Sequence, residues 1–341
     1  MTDNELLQLV TAAGSAAAEL HAEADRVRRE TVGEEVHLRG IIEFSSHCRC
    51  HCNYCGLRAE NAQAARYRMS PEEVLAGCQE VAGLGFGTVV LQSGEDEWWS
   101  AERLASLVSE IKSRTALAVT LSVGEREEWE YRLWREAGAD RYLLKHETAN
   151  RELYQRLHPG ASFENRARCL DTLLDLGYQV GSGCIVGLPG QTPEILVEDL
   201  RFLESRQFHM TGIGPLIPNP STPLAASPVG PVPLTLSMMS LIRILIPDIM
   251  LPATTALETA APGARLQALR AGANVLMPNL TPRQFASLYE IYPGKRAPQL
   301  TLAEEVARTK EIVRAAGRPL ATGPGHSPRL VLTCGSSRRN S

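Results

Sequence analysis

The chain has 341 residues, with 35 Lys and Arg against 39 Asp and Glu, a net charge of −4, 44% hydrophobic and 22% charged residues. That is the composition of a folded globular protein, long enough for one large domain or two ordinary ones. No dense run of Lys or Arg exists, which excludes nucleic-acid and anionic-membrane binding by clustered positive charge.

The N-terminal MTDNELLQLV is acidic where a secretory signal is basic, and no apolar core follows it. The most apolar stretch, residues 234–253, is interrupted by Arg243, Pro247 and Asp248, so it reads as a helix running into a buried strand rather than a membrane span. A cytoplasmic protein is expected, in a reducing compartment where clustered cysteines bind metal more often than they form disulfides.

Taken in order, residues 5–30 are rich in Ala, Leu and Glu without Pro and predict one helix. A short apolar strand over about 36–46 leads into a cysteine-rich loop. Ser70, Pro71 and Glu73 then announce a helix by N-cap, first-turn proline and capping box. Further strands are expected over 87–94, 117–124, 141–147, 178–190, 210–218, 249–257 and 273–279. Between them lie helical patterns over 100–114, 126–137, 150–157, 163–176, 193–206, 235–246 and 263–271.

Strands alternating with helices imply a parallel sheet, and eight such units fit an α/β fold of the (β/α)8 TIM-barrel type. An open doubly wound sheet has the same periodicity and stays as the alternative. The expected organisation is a helical extension over 1–34, the barrel over 35–300, and a C-terminal helix with a disordered tail over 301–341. The Pro-rich segment 218–235 reads as a lid or as a stiff connection.

Polar residues gather where strands end: Gln92-Ser93-Gly94-Glu95, Thr120 and Ser122, His146-Glu147, Thr254-Thr255 and Met277-Pro278-Asn279. In a barrel that rim builds the active site. The loop HCRCHCNYCGLR (47–58) opens onto the same rim. Cys48, Cys52 and Cys55, spaced Cys-x3-Cys-x2-Cys, give three thiolates to one metal centre and leave a fourth position open. His47, Cys50 and His51 lie close enough to keep zinc in play, although Cys78, Cys169, Cys184 and Cys334 are scattered and form no second pair.

With Tyr54 before the third cysteine, this loop resembles the signature of the radical S-adenosylmethionine (radical-SAM) enzymes. The resemblance implies a 4Fe–4S cluster on Cys48, Cys52 and Cys55, with SAM on the open iron. The segments YRMSPEEV, VVLQSGED, GADRYLLKHETAN, VGLPGQT, GIGPLIPNPSTPLA, LPATTA and GANVLMPNLTP extend the likeness over about residues 39–296. They are similar to the HydE-type maturases of FeFe hydrogenase.

That likeness implies SAM contacts from Tyr54 (adenine), Ser93, Gly94 and Glu95 (methionine amino group), Ser122, Glu147 (ribose) and Arg166 (methionine carboxylate). It implies a substrate cavity lined by Arg39, Gln92, Thr120, Lys145, Thr254, Thr255, Met277, Tyr289 and Tyr292. The implied partners are a small iron–cysteine complex carrying CO and cyanide, a one-electron donor and other hydrogenase maturases.

Three departures stand out: no cysteine lies between 290 and 330, so no accessory cluster is expected; Lys145 occupies a place where the family leads one to expect arginine; and Cys50 and Glu258 are unusual. The rival readings are a methylornithine-synthase-like or biotin-synthase-like enzyme acting on a small organic substrate, and a non-enzyme with a structural metal.

Overall fold

Strand β1 (His37–Leu38) and strand β2 (Gly40–Ser45) begin a parallel sheet in this computed structural model, which describes residues 1–294 and 300–330. From β2 the sheet continues through β3 (Thr88–Ser93), β4 (Ala118–Ser122), β5 (Arg141–Leu143) and β6 (Gln179–Ser182). Past β7 (Ile185–Val186) it takes in β8 (Met210–Thr211). After β9 (Gly214–Pro215), strands β10 (Pro252–Ala253) and β11 (Val275–Leu276) form a second sheet with β1.

Parallel bridges join the two sheets at both edges, Met210 to Met250 and Ile41 to Asn279. Eight staves, with β1 and β2 forming one, therefore close into a barrel, and the open sheet is excluded. Helices cover the outside, so staves such as Val89-Val90-Leu91 are buried on both faces and read as continuous apolar runs.

Two expected strands are each broken in two. Residues 178–190 divide into β6 and β7, and 210–218 into β8 and β9. The two backbones meet at the breaks: a Cβ on Gly183 would collide with the Gly212 carbonyl, and Gly212 N–H donates to Ser182 O at 2.8 Å. Short β7 and β9 then pair with each other at the rim. The stave expected over 141–147 stops at Leu143, and the chain turns to present residues 145–147.

The single helix expected over 5–30 is two, Asp3–Val10 and Gly14–Val32. Thr11 Oγ1 bonds back to Leu7 O at 3.1 Å, and Gly14 takes a left-handed φ of 59° that ends the continuity. Leu6, Val10 and Leu20 nevertheless join the main core. At the other end, helix Leu302–Ala315 is followed by a segment that passes under the N-terminal mouth of the barrel, bridging Leu320 to Val36. The tail beginning at Cys334 lies outside the described residues.

Candidate active site

The cysteine loop has no regular structure of its own and is held at several points. At its base, Ser46 N–H donates to Tyr67 O at 3.1 Å and Met69 N–H to Phe44 O at 2.9 Å. Arg66 gathers loop carbonyls, donating to Leu57 O at 2.9 Å and Arg58 O at 2.7 Å. Asp96 clamps the end of β2, accepting from Ser45 Oγ at 2.6 Å and from Arg68 Nε at 2.7 Å. Burial works against this carboxylate's charge, but Arg68 and Ser45 outweigh it and hold its pKa below the ordinary value.

Cys48 Sγ accepts two backbone N–H groups, from Cys50 and Glu95, each at 3.4 Å. The hydrogen bond shared with Cys50 and then burial push its thiol pKa upward, so a metal must displace that proton. A Cβ on Gly94 would stand 2.6 Å from Cys48 Cβ and run into the His47 carbonyl. Only glycine lets strand β3 approach the loop this closely.

Beyond Gly94, Glu95 Oε1 accepts from Glu125 N–H at 2.8 Å and Oε2 from Arg49 Nε at 3.1 Å. Glu125 in turn holds Arg166, 9% exposed, whose Nε donates to Glu125 Oε1 at 2.5 Å while Nη1 donates to Lys145 O. Asn165 Nδ2 donates to the other Glu125 oxygen at 2.5 Å. The groups expected at the methionine end of SAM therefore form one charged cluster at the loop's edge.

Glu147 has a φ of 64°, one of two non-glycine residues among those described with a left-handed backbone. That conformation costs about 1–2 kcal/mol in an L-residue. The neighbouring stave enforces it: Glu147 N–H donates to Gly183 O and Ile185 N–H to Glu147 O, both at 2.9 Å. The result aims the carboxylate into the cavity, where it accepts from Lys145 Nζ at 2.8 Å.

One cavity of about 370 Å³ lies under the loop and inside the rim. It is lined by Cys48, Cys52, Cys55, Tyr54, Ser93, Gly94, Glu95, Ser122, Glu147 and Arg166, and also by Gln92, Lys145, Thr254, Thr255, Met277, Tyr289 and Tyr292. Thr254 and Thr255 both reach it because β10 stops at Ala253; Thr254 sits just before the next helix, its hydroxyl donating to Ile213 O at 3.0 Å, and Thr255 opens that helix.

Two expected cavity residues do not line it. Arg39 is 1% exposed and points to the barrel floor, where Nη2 donates to Gly325 O at 3.0 Å and Nη1 meets Met210 Sδ. Thr120 is fully buried one pleat below Ser122, with Oγ1 lacking a hydrogen-bond partner. Both sit on inward-facing positions, but too deep.

Several lining or supporting groups had no signal in the sequence. Glu125 has no signal as the shared partner of Asn165 and Arg166, because no local pattern joins residues so far apart. His158, which meets Tyr54 Oη at 2.8 Å, closes a helix more than a hundred positions along the chain. Met210 also lines the cavity, as does Cys50, which the sequence had marked as unusual without a role. The Pro-rich segment lies against the cysteine loop, with Leu224 N–H donating to Asn53 O at 3.2 Å.

A model of the radical SAM superfamily matches residues 42–203, from within β2 through most of helix Pro193–Arg206. The FeFe hydrogenase maturase subunit HydE of Thermotoga maritima is 54% identical over 272 residues, covering 80% of this chain and 78% of the relative. The chain therefore belongs to the HydE-type family of radical-SAM enzymes. The 3-methylornithine synthase of Methanosarcina acetivorans is 29% identical over 279 residues, 81% of this chain and 79% of that protein. Among solved structures, methylornithine synthase superposes with a TM-score of 0.81 at 26% identity over 94% of both chains.

The family implies a 4Fe–4S cluster and SAM, and the residues fit them. Three cysteines line one cavity wall, a thiol sulfur already receives two N–H groups, and Gly94 leaves the room a side chain would fill. Among the described residues no three His, Cys, Asp or Glu side chains converge on a single ion position. A four-iron cubane asks for no such convergence, since its thiolates bind different irons.

Proposed function

We propose that the chain matures the diiron subcluster of FeFe hydrogenase, acting on a small iron–cysteine complex that carries CO and cyanide. The observation that carries this reading is one cavity that brings the three signature cysteines together with Gln92, Lys145, Glu147, Thr254 and Thr255, in a chain 54% identical to a HydE maturase. Cys48, Cys52 and Cys55 hold the cluster. When bound, the cluster would supply one electron to break the 5′ C–S bond of SAM, releasing methionine and the 5′-deoxyadenosyl radical for attack on the substrate.

Arg166 binds the methionine carboxylate by charge-assisted hydrogen bonds, and Glu95 with the Ser93-Gly94 strand end receives the amino group. Glu147, held in its left-handed turn, accepts from the ribose hydroxyls. Tyr54 borders the adenine, and Ser122 belongs to the same wall. The substrate lies deeper, against Gln92, Lys145, Thr254, Thr255, Met277, Tyr289 and Tyr292, where Lys145 offers a point cation rather than a planar fork.

Ile41, Leu216, Ile217 and Ile291 add apolar surface to the lining, which limits the water around the reacting centre. With no cysteine between 290 and 330, one cluster suffices in this reading. A one-electron donor and the other hydrogenase maturases are the expected partners. No helix among the described residues is long and apolar enough to cross a membrane. The proposed work is cytoplasmic, in the reducing compartment that keeps cluster-binding cysteines as thiols.

The test is anaerobic incubation of cluster-loaded protein with SAM, dithionite and a synthetic iron–cysteine dicarbonyl cyanide complex. Complex-dependent 5′-deoxyadenosine and a product that activates apo-hydrogenase with the remaining maturases support the assignment. The 0.81 superposition favours methylornithine synthesis as the second reading. Formation of 3-methylornithine, with no response to the iron complex, would replace the first reading by the second.

A further inference from the structure

Between the second and third signature cysteines the loop leans on a helix that carries none of the chemistry. Helix Arg151–Leu157 ends with His158 as C-cap, and its last carbonyls need donors. Asn53 provides them: its backbone N–H donates to Leu157 O at 2.9 Å and its Nδ2 to Arg156 O at 2.7 Å. One residue on, Tyr54 Oη lies 2.8 Å from His158 Nε2.

The direction of that bond follows from the other ring nitrogen. His158 Nδ1 is 3.0 Å from the Tyr154 carbonyl oxygen, and a carbonyl only accepts, so Nδ1 carries the proton. Nε2 is left with its lone pair, and the Tyr54 hydroxyl donates to it. Burial first, and then the charge of Arg166, hold the imidazole at about 4, so it stays neutral. The ring has no freedom to turn away: it stacks on Tyr154 at 4.1 Å and meets Tyr54 edge to face at 5.4 Å.

We propose that His158 is a positioning residue for SAM, fixing the Tyr54 ring that walls the cavity between the cluster cysteines through a hydrogen bond from Tyr54 Oη to its unprotonated Nε2. His158 touches neither cluster nor cofactor in this account, which rests on the SAM-binding reading above. Asn53 fixes the backbone of the same stretch, and His158 fixes the ring. Without its acceptor the part-buried Tyr54 hydroxyl would lose its partner in the protein and nothing would hold the ring in this orientation.

The experiment uses the full chain, cluster-loaded under anaerobic conditions, with SAM affinity titrated through the electron paramagnetic resonance (EPR) change that SAM produces. Tyr54→Phe and His158→Leu should each weaken SAM binding about fivefold, the value of roughly one neutral hydrogen bond. Iron content and the SAM-free spectrum should match the wild type. The double variant should be no weaker than either single one, because both remove the same bond. His158→Gln, which returns an acceptor at similar reach, should recover most of the affinity.

Additive losses in the double variant overturn the proposal, as does iron loss that tracks the SAM loss. Where His158→Leu does not fold, Tyr54→Phe decides alone, and wild-type affinity in it overturns the proposal. A wild-type protein that loads iron yet shows no SAM-induced change removes the underlying cofactor reading instead.

Discussion

Replacing Glu147 by alanine separates a cofactor ligand from a residue that serves only the turn. The carboxylate is placed by a backbone conformation that costs about 1–2 kcal/mol, and it already holds Lys145 Nζ at 2.8 Å. Two ribose hydroxyls donating to a carboxylate are worth about 1.5–3 kcal/mol each, less what the shared Lys145 contact gives up. A net loss of about 3 kcal/mol in SAM binding, roughly 150-fold in Kd, is expected. Glu147→Gly supplies the control: it relieves the left-handed strain, so it should lose the same affinity while unfolding at higher denaturant than Glu147→Ala. Equilibrium SAM titration of cluster-loaded protein, with iron counted in each sample, measures both. Wild-type affinity in Glu147→Ala with the cluster intact would show that the reasoning is wrong and that the strained turn serves only the fold.

Three other outcomes are expected. Gly94→Ala places a methyl 2.6 Å from Cys48 Cβ and into backbone, so reconstituted iron should drop severalfold while far-ultraviolet circular dichroism stays native; full iron loading would contradict the close approach. Cys52→Ala should abolish both stable cluster loading and 5′-deoxyadenosine formation, and retained SAM cleavage would remove Cys52 from the ligand set. His37, His158 and His209 are each held at about 4 rather than 6.5, by burial above all. They stay neutral in the folded state while the unfolded chain takes up protons below 6.5, so stability should fall as pH drops from 6.5 and reach its full loss near 4. For His158 that is about 3 kcal/mol, and urea midpoints in His158→Gln should decline less steeply with acid than in the wild type.

Local chemistry made much of this molecule legible. Ser70, Pro71 and Glu73 mark their helix start by residue type, and the reciprocal bonds are present at 3.2 and 2.7 Å. The β-branched runs mark the staves, and the cysteine spacing marks the loop. What failed was depth. The period-two pattern says which face Arg39 and Thr120 turn inward, but not that they lie below the cavity floor, where the C-terminal segment at Gly325 claims Arg39.

Closure was also beyond local reading, since it rests on Met210 meeting Met250 and Ile41 meeting Asn279. The same limit hid His158, Glu125 and Asn165: each acts through a residue far away in sequence, and nothing near it in the chain announces that role. The N-terminal break at Thr11 to Gly14 is a subtler case, because a stretch of good helix formers conceals one glycine used for its left-handed backbone.

The most direct measurement is EPR on anaerobically reconstituted, dithionite-reduced protein with and without SAM, alongside an assay for 5′-deoxyadenosine. A reduced-cluster spectrum that changes when SAM is added, with deoxyadenosine formed, is the predicted result. Zinc in place of iron, with no cluster signal, would contradict the account at its centre and make the cysteine loop a structural site.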